Sequence, residues 1–174
     1  GSGLLHHAPQ VPYAEELYQD ESVSKAISDG ADLVTFSGDK LLGGAQGGFV
    51  VGSKEWVQKC RKHPLYRALR VDKLTLAALE ACLIMVESHT HDALPVWNMM
   101  QRDLDELRAQ ADSMASQIPG ALVEPDVSYS GGGALPNRGL EDWAVVIPHA
   151  KPNAVAKRLR MGQTPIVLRV AKES

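Results

Sequence analysis

A lysine set among glycines is the first residue of this chain that could carry chemistry. Lys40 lies in residues 37–48, a segment with five glycines, and Ser37 stands three positions before it. Glycines let backbone N–H groups approach an anion closely, and the Ser37 hydroxyl could bind a phosphate beside the lysine. Such an arrangement suits a Schiff base to pyridoxal phosphate (PLP), and it equally suits simple phosphate binding.

The local pattern around Lys40 leaves those alternatives open. A Gly-Asp-Lys turn by itself is more often a surface turn than a catalytic one. The Gly-x-x-x-x-Gly-Lys-Ser/Thr order of a nucleotide-binding P-loop is absent from this segment.

Three further charged residues are candidates for the same site. Asp39 directly precedes Lys40 and could tune the lysine or assist proton transfer, although Asp is also common in turns. Arg67 and Arg70 are three positions apart, so they would share a face if their segment is helical. Paired guanidinium groups suit a phosphate, whereas a solvated basic face ahead of a helix is the simpler interpretation.

No metal site is predicted, because the histidines and cysteines lack ligand spacing. His89 and His91 flank a threonine without further ligands nearby, which favours loop histidines. Cys60 and Cys82 lie in segments predicted to be helical, and neither belongs to a Cys-x-x-Cys pair. A disulfide framework is therefore not expected, and a reducing cytoplasm fits this cysteine usage.

The overall charge argues against a general nucleic-acid-binding protein, with one local exception. The chain has 174 residues and a formal net charge of -3. Six basic residues nevertheless crowd into fifteen positions and allow a local anion site: Lys59, Arg61, Lys62, Arg67, Arg70 and Lys73. The longest apolar stretch, residues 74–86, contains Glu80 and is too short to span a bilayer, so a soluble cytoplasmic protein is predicted.

Two short apolar strands are predicted to hold the lysine segment at both ends. Residues 31–36 form a β-branched apolar run directly before it, and residues 49–51 follow it as a return strand. A short helix over residues 21–28 precedes the first strand and ends at Asp29-Gly30. Lys40 should therefore lie at the edge of a sheet.

A helical middle is predicted to follow the second strand. Leu76, Leu79, Leu83 and Val86 recur at helical spacing. The predicted segments are a helix over residues 54–62 capped by Ser53, a basic connector over 63–70, a helix over 72–88 capped by Asp72, and a helix over 93–117.

From residue 121 the pattern changes to short strands. Strands are predicted at residues 122–123, 127–129, 144–147 and 165–170, with a glycine-rich turn over 130–135 and an amphipathic helix over 151–161. Strands that alternate with a helix predict a small α/β domain at this end.

Taken together, three segments resemble one enzyme family, the bacterial selenocysteine synthases (L-seryl-tRNA(Sec) selenium transferases). Residues 34–44 with Gln46 and Gly47 resemble the cofactor-lysine motif of that family. Residues 63–81, which include His-Pro-Leu-x-Arg-Ala-Leu-Arg, resemble its second signature, and residues 131–136 look like a third. The first two motifs are long and specific, although Ala45 stands where the family usually has proline.

The resemblance implies an α/β fold in which the chain is a C-terminal-half fragment. Residues 1–71 would be the end of the large domain of a fold-type I PLP-dependent transferase. Residues 72–118 would be long connecting helices, and residues 119–174 a small C-terminal α/β domain. The tRNA-binding domain and the first part of the cofactor domain would lie outside this chain.

The resemblance also implies roles for the candidate residues. Lys40 would bind PLP as a Schiff base, Ser37 would help to hold the cofactor phosphate, and Asp39 would act beside the reacting centre. Arg67 and Arg70 would bind selenophosphate. The implied reaction converts seryl-tRNA(Sec) to selenocysteinyl-tRNA(Sec) through an aminoacrylyl intermediate.

The implied partners are tRNA(Sec), held through a domain absent from this chain, and further copies of the chain in a homo-oligomer. No membrane partner is expected. Two other functions stay open. One is a related PLP lyase that acts on a small phosphorylated amino compound. The other is a non-catalytic module in which residues 72–117 pack subunits together and Lys40 is idle.

Overall fold

The structure is a computed structural model that describes residues 2–5, 22–130 and 139–171. The chain divides into two compact units. The first comprises Gly1–Asp103 with Val127–Glu141, and the second comprises Leu104–Asp126 with Asp142–Ser174. Both units mix helices and strands, which confirms the α/β character expected from the sequence.

The first unit contains a β-hairpin. Strand β1 (Leu33–Ser37) pairs antiparallel with β2 (Gly48–Gly52), and helix α1 (Val23–Ser28) precedes them. Phe36 lies opposite Phe49 in the register, and their rings stack with centroids 4.8 Å apart. Both strands predicted beside the lysine segment are therefore confirmed, because β-branched and aromatic side chains favour the pleated, half-buried surface of a strand.

Two adjacent leucines anchor the segment that follows Lys40. Leu41 and Leu42 are each only 1% exposed, yet they belong to different hydrophobic clusters. Leu41 packs with Cys82 and Trp97, whereas Leu42 packs with Phe36. Consecutive side chains that are buried in two separate clusters leave the backbone between them little freedom.

Helices α2 (Lys54–Lys62), α3 (Pro64–Leu69) and α4 (Lys73–Glu87) follow the hairpin. The connector predicted over residues 63–70 is wrong, since most of it is helix α3. Pro64 fits the first turn of a helix, and the His63 ring accepts a hydrogen bond from the Leu65 N–H at 3.2 Å. These two local features start a new helix directly after α2.

The two predicted helix caps behave differently. The Asp72 carboxylate accepts hydrogen bonds from the N–H groups of Leu74 at 2.8 Å and Thr75 at 3.1 Å, which confirms it as the cap of α4. Ser53 occupies the cap position of α2, but its side chain makes no capping hydrogen bond.

The single helix predicted over residues 93–117 is two helices. A 3₁₀ turn (His91–Ala93) leads into α5 (Pro95–Met100), and α6 spans Leu104–Ala115. Asp105 and Glu106 lie in the first turn of α6, where acidic side chains stabilise a helix N-terminus. These acidic residues favour the start of a new helix at Leu104, so the predicted helix is interrupted between α5 and α6.

The remaining elements are strands β3 (Leu122–Tyr129) and β4 (Gly139–Val146), which pair, and helix α7 (Pro152–Arg160). The two strands predicted over residues 122–129 are one continuous strand. Residues 165–170, predicted as a last strand, are irregular, and Val167 is 78% exposed. An apolar β-branched run forms a strand only where a neighbouring strand accepts its backbone hydrogen bonds.

The third family signature, residues 131–136, lies outside the described residues. Within the described ranges, no helix combines the length and the apolar character that a membrane crossing needs.

Candidate functional site

The loop that carries Lys40 joins β1 to β2 and is closed by its own backbone. The Gly38 N–H donates to the Gly47 carbonyl at 2.8 Å, and the Gly44 N–H donates to the Gly38 carbonyl at 2.8 Å. The Gly43 N–H donates to the Lys40 carbonyl at 2.9 Å, and the φ of Gly43 is +76°. Glycine adopts this left-handed conformation without strain, so the backbone at Lys40 is held in one geometry.

Helix α4 packs directly against the glycines of this loop. A Cβ on Gly38 would lie 2.7 Å from Leu79 Cδ2, and a Cβ on Gly44 would lie 3.0 Å from the same atom. A Cβ on Gly47 would lie 3.0 Å from Leu79 Cδ1. The glycines are therefore needed for close packing against Leu79, and the loop rests on the buried face of α4.

The structure brings Lys40 and Ser37 together. Lys40 Nζ donates a hydrogen bond to Ser37 Oγ at 3.2 Å, and this contact is partly buried. Ser37 is the last residue of β1, so the strand fixes the hydroxyl and the closed loop returns the lysine to it. Asp39 is exposed on the loop between them.

Arg67 and Arg70 lie at and beyond the end of the short helix α3. Arg67 is helical, whereas Arg70 has an extended backbone (φ −64°, ψ 138°), so the two arginines do not share a helical face. Both side chains are exposed. Within the described ranges neither guanidinium forms an ion pair.

The segment after Arg70 returns to the lysine loop. A Cβ on Gly47 would lie 3.7 Å from Val71 Cγ1, so the connector between α3 and α4 borders the loop. Arg70 is therefore adjacent in sequence to a residue that lies against the loop. The basic segment and the lysine loop thus belong to one region of the first unit.

Two contributors to this region were not found from the sequence. Leu79 was predicted only as one of several apolar positions of a helix, not as the residue beneath the loop. No sequence feature was interpreted as placing Ser2 beside the lysine loop, yet the Leu41 N–H donates to the Ser2 carbonyl at 2.9 Å and Ser2 is 4% exposed. The neighbouring Gly3 has a φ of +87° and lies against the Ser37 carbonyl. A glycine at this position is the sequence feature that could have indicated that the segment packs closely against the lysine loop.

Metal ligation finds no support in the described part of the chain. No group of three or more His, Cys, Asp or Glu side chains that could hold a metal ion occurs there. Cys60 is exposed and Cys82 is buried, and both are free thiols. His89 occupies a left-handed backbone position (φ +56°) directly after α4.

One carboxylate near the site has a shifted pKa. Hydrogen bonds from the Thr75 N–H, the Thr75 hydroxyl and the Leu74 N–H lower the pKa of Asp72 below its ordinary value of 3.8. Each of these bonds favours the ionised carboxylate. Because Asp72 caps α4, this charge supports the helix on which the lysine loop rests.

Comparison with known proteins adds a family-level finding. A family model described as L-seryl-tRNA selenium transferase matches residues 1–174. The chain is similar to the L-seryl-tRNA(Sec) selenium transferase of Hyphomonas neptunium, with 39% identity over 96% of this chain and 37% of the relative. The proteins of the same name from Aquifex aeolicus and Desulfotalea psychrophila are 37% and 39% identical, each over 99% of this chain and 39% of the relative. The chain thus spans less than two fifths of the length of these curated relatives.

Proposed function

Because this chain belongs to the L-seryl-tRNA selenium transferase family, we propose that it forms part of an enzyme that converts seryl-tRNA(Sec) to selenocysteinyl-tRNA(Sec). In this proposal PLP is the cofactor and selenophosphate is the selenium donor. The chain contributes the cofactor lysine, Lys40, and the loop that positions it.

The observation that carries this proposal is the hydrogen bond of 3.2 Å between Lys40 Nζ and Ser37 Oγ. A primary amine beside a hydroxyl, in a loop whose glycines allow close approach, fits a cofactor with one aldehyde and one phosphate. Ser37 would hold the phosphate, and Lys40 would hold the reactive carbon. The residues present in this loop therefore fit PLP.

The chemistry that PLP supplies when bound is carbonyl reactivity toward amines and an electron-accepting ring. The residues of this chain would orient the reaction and move protons. Lys40 Nζ would exchange the proton at the alpha carbon of the substrate serine. Asp39, one residue away on the same loop, would assist proton transfer beside this amine.

Arg67 and Arg70 are proposed to bind selenophosphate. Both guanidinium groups are exposed, and the segment that carries them continues into Val71 beside the lysine loop. Arginine binds phosphate oxygens through paired N–H groups in a fixed fork, which orients the anion as well as attracting it.

The proposed architecture is that of the fold-type I PLP enzymes. Residues 1–71 would end the large domain, residues 72–118 would connect, and residues 119–174 would form a small C-terminal domain. The observed hairpin and the long helix α4 are compatible with this assignment. Binding of tRNA(Sec) through a further domain, assembly into a homo-oligomer and a cytoplasmic location belong to the same proposal.

The test is to mix the purified chain with PLP, record the visible spectrum, reduce with borohydride and map the labelled peptide. We expect a visible absorbance band from a lysine-bound pyridoxal, and a label on Lys40 that Lys40→Ala abolishes. A label that is spread over exposed lysines such as Lys54 and Lys62, and unchanged by Lys40→Ala, would contradict the proposal.

A second assay separates the transferase from a related lyase. A polypeptide of full family length that carries this loop should convert serylated tRNA to selenocysteinylated tRNA when selenophosphate is supplied as the selenium donor. Turnover of a small phosphorylated amino compound without any use of serylated tRNA would instead favour the lyase.

A further inference from the structure

One peptide group of the lysine loop is held at both of its polar atoms. The Lys40 carbonyl accepts a hydrogen bond from the Gly43 N–H at 2.9 Å, within the loop itself. The Leu41 N–H, which belongs to the same peptide group, donates to the Ser2 carbonyl at 2.9 Å. Because a peptide group is planar, these two bonds together fix the orientation of the backbone from which the Lys40 side chain extends.

Gly3 brings the segment of Ser2 against two further residues beside Lys40. A Cβ on Gly3 would clash with the Ser37 carbonyl oxygen and would lie 3.4 Å from Leu42 Cβ. The φ of Gly3 is +87°, a left-handed conformation that glycine adopts without strain. A larger residue at this position therefore cannot keep the present contacts with Ser37 and Leu42.

The segment that makes these contacts is itself anchored in the first unit. Leu4 is 3% exposed and packs in one hydrophobic cluster with Leu41 and Trp97. The Leu4 carbonyl also accepts a hydrogen bond from the Val23 N–H of α1 at 2.8 Å. A buried side chain and a helix thus hold residues 2–4, so this segment can support the lysine loop rather than follow its movements.

We propose that residues 2–4, called the supporting segment below, position the Lys40 amine beside the Ser37 hydroxyl. The segment acts through its backbone contacts with Leu41 and Ser37, so its members are positioning residues and not catalytic ones. The inference rests on the proposed function for the identity of the molecule that Lys40 holds. The contacts themselves are made within the chain and need no cofactor.

The shape of PLP explains why such positioning matters. Its aldehyde and its phosphate are attached to one rigid ring, so the amine and the hydroxyl must face both groups at the same time. A lysine side chain rotates about several bonds, and its reach is defined only if its own backbone is fixed. The supporting segment should therefore affect the condensation of the amine with the aldehyde, which forms the C=N bond and releases water, more than phosphate binding alone.

The first test uses the chain without cofactor and follows the exchange of the Leu41 amide hydrogen by nuclear magnetic resonance. Gly3→Ala should raise this exchange rate at least roughly tenfold, because the added methyl group displaces the Ser2 carbonyl from the Leu41 N–H. Gly120→Ala is the matched control, since Gly120 also has a positive φ, +78°, but a Cβ there would meet no atom within 4 Å. The control introduces similar backbone strain and should leave exchange at Leu41 within about twofold of the unaltered chain.

The second test separates positioning from loss of structure. Labelling of Lys40 by PLP and borohydride, measured per folded chain, should fall at least roughly tenfold in Gly3→Ala. Binding of pyridoxine 5′-phosphate, which has the phosphate but no aldehyde, should weaken less than about threefold in the same variant, because Ser37 remains the last residue of β1. Partial unfolding would reduce both quantities in the same proportion, so unequal losses indicate a misplaced amine.

A milder variant applies if circular dichroism shows that Gly3→Ala is misfolded. Leu4→Val shortens the buried anchor of the supporting segment and adds no atom at Gly3. Exchange at Leu41 should then rise about threefold and labelling of Lys40 should fall by about the same factor, while pyridoxine 5′-phosphate binds as before.

Two results would overturn the inference. Equal exchange at Leu41 in folded Gly3→Ala and Gly120→Ala would show that the supporting segment does not hold this peptide group. Faster exchange together with unchanged labelling of Lys40 would show that the segment holds the loop without positioning the amine.

The outcomes are separable from those of the proposed function. If the unaltered chain takes no label at Lys40, the proposed function is contradicted, and exchange at Leu41 still decides the inference. In that case faster exchange in Gly3→Ala than in Gly120→Ala supports the inference, and equal exchange overturns it. If the unaltered chain and folded Gly3→Ala are labelled equally at Lys40, the inference alone is contradicted.

Discussion

Lys40 and Ser37 contact each other in the candidate site, and each has its own proposed role. The hydroxyl lies at the end of a paired strand, so it is positioned before any ligand binds, whereas the lysine reaches it from a turn. A preorganised hydroxyl contributes more to phosphate binding than a mobile one, because less conformational freedom is lost.

Replacement of Ser37 should weaken PLP binding without removing the lysine. A hydrogen bond to a charged group contributes about 1.5–3 kcal/mol, so Ser37→Ala should raise the PLP dissociation constant roughly tenfold or more. The measurement is a titration of the visible absorbance band. Ser53→Ala is the matched control, since this exposed serine makes no capping hydrogen bond and its loss should leave the constant unchanged. Equal affinities for all three proteins would remove Ser37 from the phosphate site.

The Asp72 carboxylate makes the stability of the folded chain depend on pH in the acidic range. Its pKa is lowered in the folded chain, chiefly by the Thr75 N–H and hydroxyl, so the folded state favours the ionised form. The stabilisation is therefore fully present above the ordinary value of 3.8 and is lost as the pH falls through the lowered pKa. Asp72→Ala should melt at a lower temperature than the unaltered chain at pH 7, and the difference should shrink in acid.

Thermal melting at several pH values measures this effect. Thr75→Val removes the hydroxyl donor and keeps the backbone donor, so it should produce a smaller change of the same sign. A difference in melting temperature that stays constant down to the most acidic pH would show that the carboxylate charge is not involved.

Helix α4 is the element on which the lysine loop depends. Leu79 is 4% exposed and contacts the loop at three glycines, Gly38, Gly44 and Gly47. Because alanine substitution would leave a cavity beneath the loop, both the stability and the geometry at Lys40 depend on this one side chain. The hydrogen-bonded closure of the loop alone does not fill that space.

Truncation of Leu79 should be costly, and truncation of its neighbour on the exposed face should not. Leu79→Ala should lower the free energy of unfolding by about 2–5 kcal/mol, as is typical of a buried leucine. Leu76→Ala, at a position that is 57% exposed on the same helix, should change it by less than about 0.5 kcal/mol. Urea denaturation measures both values. Similar effects of the two substitutions would contradict the packing of Leu79 beneath the lysine loop.

The break between α5 and α6 shows that two local sequence signals can favour different helix boundaries. Residues 93–117 have one continuous apolar pattern, and that pattern predicts a single helix. Trp97 is 2% exposed on α5, and α6 begins with its own acidic first turn. Periodicity gives the face of a helix, but it does not reveal a break of three residues within that face.

Over the whole molecule, burial is uneven between the two units. Among the described residues, the buried hydrophobic side chains of the first unit include Phe36, Leu41, Leu79 and Trp97. In the second unit, Ala111 is the only buried hydrophobic residue among those described. Burial of apolar surface is the main stabilising contribution to folding, so the two units should differ in stability.

Hydrogen exchange should reveal this difference. Amides of β1, β2 and α4 should exchange roughly tenfold or more slowly than amides of α7, which has no buried residue. Exchange followed by mass spectrometry resolves the peptides that cover these elements. Equal protection of α7 and the hairpin would mean that burial in the described residues does not govern local stability.

The sequence by itself determined the features that depend on neighbouring residues. These are the strands on either side of the lysine segment, the Asp72 cap, and the motif of Ser37, Asp39 and Lys40 with its family assignment. Alternating or β-branched apolar runs, capping side chains and glycine-rich turns act over a few positions, so their consequences can be predicted locally.

Only the tertiary structure decided the features that depend on contacts between distant segments. It placed Leu79 beneath the lysine loop, Ser2 beside Leu41, and Val71 beside Gly47. It also left residues 165–170 without the strand that their composition predicts. The physical reason is the same in each case: close packing and strand pairing depend on which partner the fold brings near, and a residue's own sequence neighbours do not specify that partner.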